Sequence, residues 1–331
     1  MDRLIRDIEE SVIGGSDISF AQAEALTTVP IEKIGSLTAA ADNIRHHFRA
    51  NEIDLCSIIN ARSGRCAEDC KFCAQSSSYK TYAIEYPMKS VPEILAAAHA
   101  AESTGARRFC IVTSGESLNE RDFNVVLEAV AKIKAATDLK RCASIGRLTP
   151  GRSADLREAG LNRYHHNIET APSFFENVCT THTFVEKTGT IANVREAGIE
   201  TCVGGILNLG ESPTQRLEFA FALKELDPIS VPVNFLSPRA GTPLADRPPM
   251  PSREAAKYLA IFRFILPRAF IRLAGGRAET FKDDLQLAFS SGINALLIGN
   301  LLTTNGPSVD ADLQALSAMG FDVDADSEKS S

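Results

Sequence analysis

No run of about 18 consecutive apolar residues occurs anywhere in the 331-residue chain, which excludes a bilayer-spanning helix of ordinary length. A surplus of positive charge is also missing. The 35 Lys and Arg are outnumbered by 42 Asp and Glu, for a formal net charge of −7. That balance argues against nucleic acid or an anionic membrane as the main partner. Met1 to Glu10 mix acids with bases and hold no apolar stretch of the signal-peptide kind, so the cytoplasm is the expected compartment. Thiols stay reduced there. The eight cysteines are therefore read as metal ligands, reactive groups or small core residues rather than as disulfides.

From about residue 53 onward, short β-rich runs alternate with amphipathic, helix-like stretches. The runs Ile53–Asn60, Arg108–Thr113, Arg141–Ile145, Arg163–Ile168, Thr201–Leu207, Ser230–Leu236, Phe270–Leu273 and Ala295–Ile298 read as strands. Between them, Val91–Glu102, Glu120–Ala136, Ile191–Ala197, Thr214–Leu226, Arg253–Leu266 and Phe281–Ser290 read as helices. Gly160, Gly198 and Gly292 stand where a helix should stop before a strand. Eight strands in strict alternation imply parallel pairing with right-handed crossovers. An α/β fold closed into a (β/α)8 TIM-type barrel is the economical solution, with an open doubly wound sheet as the alternative. The expected organisation is an N-terminal helical extension over residues 1–50, a barrel over 51–305, and a C-terminal helix with a short tail over 306–331. Asp322–Ser331 is acidic and Ser-rich, and disorder is expected there.

After the first strand comes Cys66-Ala67-Glu68-Asp69-Cys70-Lys71-Phe72-Cys73. A parallel barrel places its chemistry on such strand-to-helix loops. Spacings of four and three residues let three thiolates converge on one small object. Structural zinc, the competing reading, needs a fourth ligand and usually shows paired C-x2-C half-sites, and no second pair of that kind exists in the chain. An iron–sulfur cubane held by three cysteines leaves one iron free for a small molecule. With Phe72 immediately before the last cysteine, the motif resembles the radical SAM superfamily. That resemblance implies a 4Fe–4S cluster on Cys66, Cys70 and Cys73 that binds S-adenosylmethionine and cleaves it to a 5′-deoxyadenosyl radical. It also implies that Phe72 lies near the adenine. Ser114, Gly115 and Glu116 of Thr113-Ser114-Gly115-Glu116 resemble the segment that meets the methionine amine. Gly205 and Ile206 of Gly205-Ile206-Leu207-Asn208-Leu209-Gly210-Glu211 resemble the adenine-side segment. Read alone, both are ordinary glycine turns.

Cys110, Cys142 and Cys202 sit within apolar strands, where a free cysteine is ordinarily a core residue. Arg272 in Phe270-Ile271-Arg272-Leu273-Ala274 is costly there unless paired, either to a barrel carboxylate or by facing outward. Three inward thiolates and an inward arginine would instead fit a second, buried cluster. This set, together with Cys66–Cys73, resembles the biotin synthase family. The likeness runs through Ala74-Gln75-Ser76-Ser77, Tyr79-Lys80-Thr81, His166-Asn167-Ile168-Glu169-Thr170, Val231-Pro232-Val233-Asn234 and Gly241-Thr242-Pro243-Leu244-Ala245. It continues through Arg272-Leu273-Ala274-Gly275-Gly276-Arg277 and Leu301-Leu302-Thr303-Thr304. The resemblance implies an auxiliary 2Fe–2S or variant cluster on Cys110, Cys142, Cys202 and Arg272. It further implies that Asn167 and Asn234 hold the ureido ring of dethiobiotin and that Glu169 contacts the nucleoside ribose. The implied reaction inserts sulfur between two unactivated carbons of dethiobiotin to give biotin. Flavodoxin or ferredoxin as reductant and a homodimeric assembly are expectations from the same source.

Three residues depart from the family pattern or stand outside it. His165 occupies a place where Asn is common. Cys56, where some relatives carry Ser, reads as core, with a place beside the auxiliary cluster as the alternative. Cys179 reads as a helix-packing residue, with proximity to the site as its alternative. Competing functions are another radical SAM enzyme of similar build, such as a hydrogenase-maturation type, and a non-catalytic iron–sulfur or zinc scaffold.

Overall fold

The computed structural model describes residues 1–282, 284–299 and 308–323. Leu301–Thr304, the expected boundary at 305 and the tail beyond Val323 lie outside the described residues. Three helices come first: α1 (Asp2–Ile13), α2 (Phe20–Thr27) and α3 (Ile34–Arg49). A capping box starts α2, because Ser19 Oγ accepts from the Gln22 amide at 3.2 Å while Gln22 Oε1 accepts from the Ser19 amide at 2.8 Å.

The strands are β1 (Asp54–Arg62), β2 (Arg108–Thr113), β3 (Lys140–Ser144), β4 (Arg163–His165), β5 (Glu200–Cys202), β6 (Gly205–Leu207), β7 (Ser230–Phe235), β8 (Phe270–Leu273) and β9 (Ala295–Leu297). Every pairing is parallel, in the order β5-β4-β3-β2-β1-β9-β8-β7-β6, and Cys202 of β5 bridges Ser230 of β7 to close the ring. The result is the closed eight-stave (β/α)8 barrel that the alternation implied. The helices are α4 (Val91–Ser103), α5 (Glu120–Ala136), α6 (Pro150–Ala159), α7 (Phe184–Glu196), α8 (Pro213–Leu226), α9 (Ser252–Ile265), α10 (Arg277–Phe281), α11 (Leu285–Phe289) and α12 (Val309–Ala318). Among the described residues no helix is long and apolar enough to cross a membrane.

Two elements expected as single pieces are broken, each for a local reason. The fifth stave divides into β5 and β6 where it passes Pro232, which has no N–H to give a ladder. Gly204 lies so close there that a Cβ would stand 1.9 Å from the Pro232 carbonyl oxygen. The stretch expected as one helix over Phe281–Ser290 divides at Lys282, whose φ of 52° ends α10, and Asp284 caps α11 by accepting from the Leu287 amide at 3.0 Å. β4 also ends at His165, three residues before the expected stop at Ile168.

α3 packs on α9 and α1 and delivers the chain to the end of the barrel where the strands begin. Its last residue, Arg49, donates from Nε to the Arg268 carbonyl at 2.7 Å and lies over the Phe270 ring.

Candidate active site

Side chains two apart on a strand share a face, so each inward strand residue lies one layer above the residue two positions earlier. The lowest layer holds Asp54, Arg108, Arg163 and Arg272, all at most 4% exposed. Asp54 Oδ2 accepts from Arg163 Nη1 at 2.7 Å and from Arg272 Nη2 at 2.9 Å, with Arg108 Nε 3.6 Å away. Burial alone would raise the Asp54 carboxyl, but Arg272, Arg108 and Arg163 hold it far below the usual carboxylate range. Glu200 Oε2 accepts from Arg163 Nε at 2.9 Å. Three guanidiniums thus gather round the Asp54 carboxylate, with Glu200 on the far side of Arg163.

The next layer is sulfur. Cys56 follows Asp54 by two residues and Cys110 follows Arg108 by two. Cys142 is the register partner of Cys110, and Cys202 is that of His165. All four thiols line one cavity of about 410 Å³, together with Arg272. Burial pushes Cys56 up to about 12 and raises Cys110 and Cys202, whereas the hydrogen bond from Cys110 lowers Cys142. Cys56 is buried among apolar neighbours, as its core reading expects, and also lines the cavity wall. Arg272 faces inward and is paired to a barrel carboxylate.

Above the thiols, His165 Nε2 lies 2.8 Å from Asn167 Oδ1, and Asn167 Nδ2 donates to Glu169 Oε2 at 3.3 Å. Burial lowers the His165 imidazole to about 4, which keeps it neutral. Nε2–H then donates to Asn167, and Nδ1 takes the Ser144 hydroxyl at 3.2 Å. Glu169 has a φ of 67°, in the left-handed region that a non-glycine residue rarely adopts. Its carbonyl accepts from the Ile206 amide at 2.8 Å, and a Cβ on Gly205 would stand 2.3 Å from that carbonyl oxygen. Gly205 is what allows Glu169 this conformation, and burial raises the carboxyl of Glu169. Asn234 Nδ2 donates to the Gly205 carbonyl at 2.9 Å, and its Oδ1 accepts from the Gly275 amide at 2.8 Å. Each of its polar atoms therefore keeps capacity for one further partner.

The Cys66–Cys73 loop folds on itself. The Cys66 amide donates to the Gln75 carbonyl at 3.1 Å and the Cys73 amide to the Cys70 carbonyl at 2.9 Å. Its three half-buried thiols open on a second cavity of about 190 Å³, shared with Ser114, Gly115, Glu116 and Glu169. Ser114 Oγ donates to the Gly64 carbonyl at 2.7 Å, and Glu116 is ion-paired with Arg147. Phe72, Cys73, Asn167 and Glu169 line both cavities, so the two adjoin, and Ile206 lines the larger.

Several side chains here were not singled out in the sequence. Arg108 and Arg163 each precede an inward residue by two, a signal that the period-two pattern carries. Lys187 on α7 reaches the smaller cavity with Nζ 3.9 Å from Glu169 Oε1. Glu68 and His182 join Cys179 beside Cys70, and no spacing rule announces that contact. Cys179 is therefore a site neighbour rather than a helix-packing residue.

Residues 61–223 match the Radical SAM superfamily, and residues 232–322 match the Biotin and Thiamin Synthesis associated domain. The biotin synthase of Pelotomaculum thermopropionicum is 46% identical over 320 residues, covering 97% of this chain and all of that protein. The biotin synthase of Clostridium tetani is 40% identical over 98% of this chain and all of that protein. The chain belongs to the biotin synthase family. Among solved structures, methylornithine synthase superposes with a TM-score of 0.82 at 18% identity, covering 95% of this chain and 96% of that one. The FeFe-hydrogenase maturase of Carboxydothermus hydrogenoformans gives 0.80 at 18% identity, over 96% and 78%. These two likenesses are likenesses of fold.

Membership in the biotin synthase family brings a 4Fe–4S cluster and S-adenosylmethionine. The donor set fits: three thiols of one loop face a cavity whose other walls supply hydrogen-bonding and charged groups. The deeper donor set fits an iron–sulfur group as well, because four thiols and the Arg272 guanidinium line one buried cavity.

Proposed function

We propose that this chain converts dethiobiotin to biotin by radical insertion of sulfur. The observation that carries the reading is the larger cavity, lined by Cys73 and Phe72 of the cysteine-triplet loop and by Cys56, Cys110, Cys142, Cys202 and Arg272 of the barrel. When bound, the upper cluster with S-adenosylmethionine supplies a hydrogen-abstracting deoxyadenosyl radical, and the lower 2Fe–2S or variant cluster supplies the sulfur.

The chain's own residues hold and shield the reactants. Cys66, Cys70 and Cys73 are the ligands above, and Cys110, Cys142, Cys202 and Arg272 those below, with Cys56 placed to join them. Asp54 fixes the Arg272 guanidinium through Nη2 and so orients it toward the thiol layer. Phe72 offers an apolar face to the adenine, and Glu169 offers hydrogen-bond acceptors to the ribose. Ser114, Gly115 and Glu116 form the amine-side wall, and Gly205 and Ile206 the adenine side. Asn167 and Asn234 present an amide donor and acceptor each, which matches a cyclic urea. The neutral His165 fixes the Asn167 amide orientation. An apolar wall of Ile58, Val112 and Leu236 around the polar groups keeps water from a reactive carbon. A flavodoxin or ferredoxin delivers the electrons, and two copies of the chain associate.

Anaerobic turnover with dethiobiotin, S-adenosylmethionine and dithionite or flavodoxin tests the reading. Biotin is expected. Cleavage of S-adenosylmethionine without biotin would assign the chain to another radical SAM reaction, and absence of cleavage would leave a scaffold.

A further inference from the structure

Cys179 and His182 lie outside the barrel's thiol layer, on the segment between the 3-10 turn Pro172–Asn177 and α7. Asp69 ties that segment to the Cys66–Cys73 loop. Its Oδ1 accepts from the Thr180 amide at 2.8 Å and the Thr181 amide at 3.3 Å, and the Lys71 amide donates to the Val178 carbonyl at 3.0 Å. The stitching brings Cys70 Sγ, Cys179 Sγ and a ring nitrogen of His182 within 4.8 Å of one another. His182 Nδ1 is 3.2 Å from Cys179 Sγ and 2.5 Å from Glu68 Oε2. Cys179 is 2% exposed, and His182 and Glu68 are each 8% exposed, while Cys70 is half-buried and opens on the smaller cavity.

Two thiols, one imidazole nitrogen and one carboxylate oxygen are the donors of a tetrahedral site for a borderline-soft divalent ion. With metal–sulfur and metal–nitrogen lengths of about 2.3 and 2.0 Å, the ligand atoms of such a tetrahedron stand roughly 3–4 Å apart. Cys179 Sγ and His182 Nδ1 already stand so at 3.2 Å, and Cys70 Sγ lies within 4.8 Å of both, whereas Glu68 Oε2, 2.5 Å from His182 Nδ1, has to draw back to become a ligand. Asp69 Oδ1 also stands 3.1 Å from Cys179 Sγ, but it is held by the two threonine amides. We propose that Cys70, Cys179 and His182 form a site for a single zinc-type or ferrous ion in the cluster-free chain, with Glu68 beside His182 as the fourth donor and with Cys70 belonging also to the cysteine triplet. Binding displaces the thiol protons, leaves the imidazole neutral and keeps Glu68 anionic. Both call on the Cys70 thiolate, so the ion and the 4Fe–4S cluster compete for it. The substrate assignment has no part in this argument, and its failure would leave the site untouched.

Cobalt(II) is the probe, added anaerobically to the cluster-free Cys66→Ser/Cys73→Ser chain, in which Cys70 is the only cysteine left from the triplet. One cobalt per chain beyond that taken up by a Cys66→Ser/Cys70→Ser/Cys73→Ser control, which reports the barrel thiols, is expected, with tetrahedral ligand-field bands and a thiolate charge-transfer band. Adding Cys179→Ser should remove about half of the charge-transfer intensity, and it or His182→Gln should weaken binding at least about tenfold. No binding by the double variant, or equal binding by Cys66→Ser/Cys73→Ser/Cys179→Ser, would overturn the proposal. Should the double variant not fold, the wild-type apoprotein gives a second reading. One equivalent of zinc should protect Cys70 and Cys179 together from alkylation, and protection of Cys66, Cys70 and Cys73 without Cys179 would overturn the site equally.

Discussion

Arg272 Nη2 stands 2.9 Å from Asp54 Oδ2, and Arg163 Nη1 reaches the same oxygen at 2.7 Å. One buried carboxylate thus anchors two guanidiniums from opposite sides of the barrel, with a third beside them. The pair costs desolvation, yet removing the carboxylate alone strands buried positive charge, which is the dearer outcome. Asp54→Asn is expected to destabilise the apoprotein by roughly 3–5 kcal/mol, read as a fall in the urea midpoint. An unchanged midpoint would mean the floor charges are compensated elsewhere.

The two thiol sets should separate two activities. Cys110→Ser or Cys142→Ser is expected to abolish biotin formation while reductive cleavage of S-adenosylmethionine to deoxyadenosine continues. Cys70→Ser should abolish both. Quantifying deoxyadenosine and biotin in the same reaction decides it, and loss of cleavage in Cys110→Ser would contradict the division of labour.

Gly205→Ala tests the close approach to Glu169. The new methyl would press on the Glu169 carbonyl oxygen, a backbone atom with little room to give. A cost of about 1–3 kcal/mol is expected from such overpacking. The Michaelis constant for S-adenosylmethionine should rise, because Glu169 moves with its backbone.

Histidine burial sets an acid limit on stability. Burial lowers His165 to about 4 and His166 well below its ordinary value. A histidine whose folded value is depressed gives its full contribution above the unfolded value near 6.5 and loses it as pH falls toward the folded value. Each should therefore cost about 1.4 kcal/mol per pH unit through that window. Urea midpoints of the apoprotein from about pH 7 down to about pH 5 should fall, and should fall less steeply in His166→Leu. Equal slopes would exclude His166 as a source of the acid sensitivity.

The barrel was legible because apolar runs and glycine stops carry its alternation, and β2 and α5 match expectation residue for residue. The break between β5 and β6 was not, because its cause, Pro232, lies on a neighbouring strand far along the chain. The thiol layer was legible through Cys110, Cys142 and Cys202, since inward cysteines at strand positions follow the period of two. Cys56 follows the same rule, but buried cysteine is so common in cores that the pattern alone did not single it out. The cluster of Cys179, His182 and Glu68 escaped the sequence for another reason. It is made by loop-to-loop hydrogen bonds of Asp69, and such bonds leave no periodic trace.

The floor of the cavity has a consequence for timing. Asp54, Arg108, Arg163 and Arg272 are buried, with the end of α3 close by, so among the described residues these side chains plug the lower end of the barrel. If the lower thiols hold the proposed cluster, its iron and sulfide would come down past the Cys66–Cys73 loop, from the side on which the proposed substrate enters. Such a chamber would impose a queue: the deep group installed first, the substrate after it, and repair only once the product has gone.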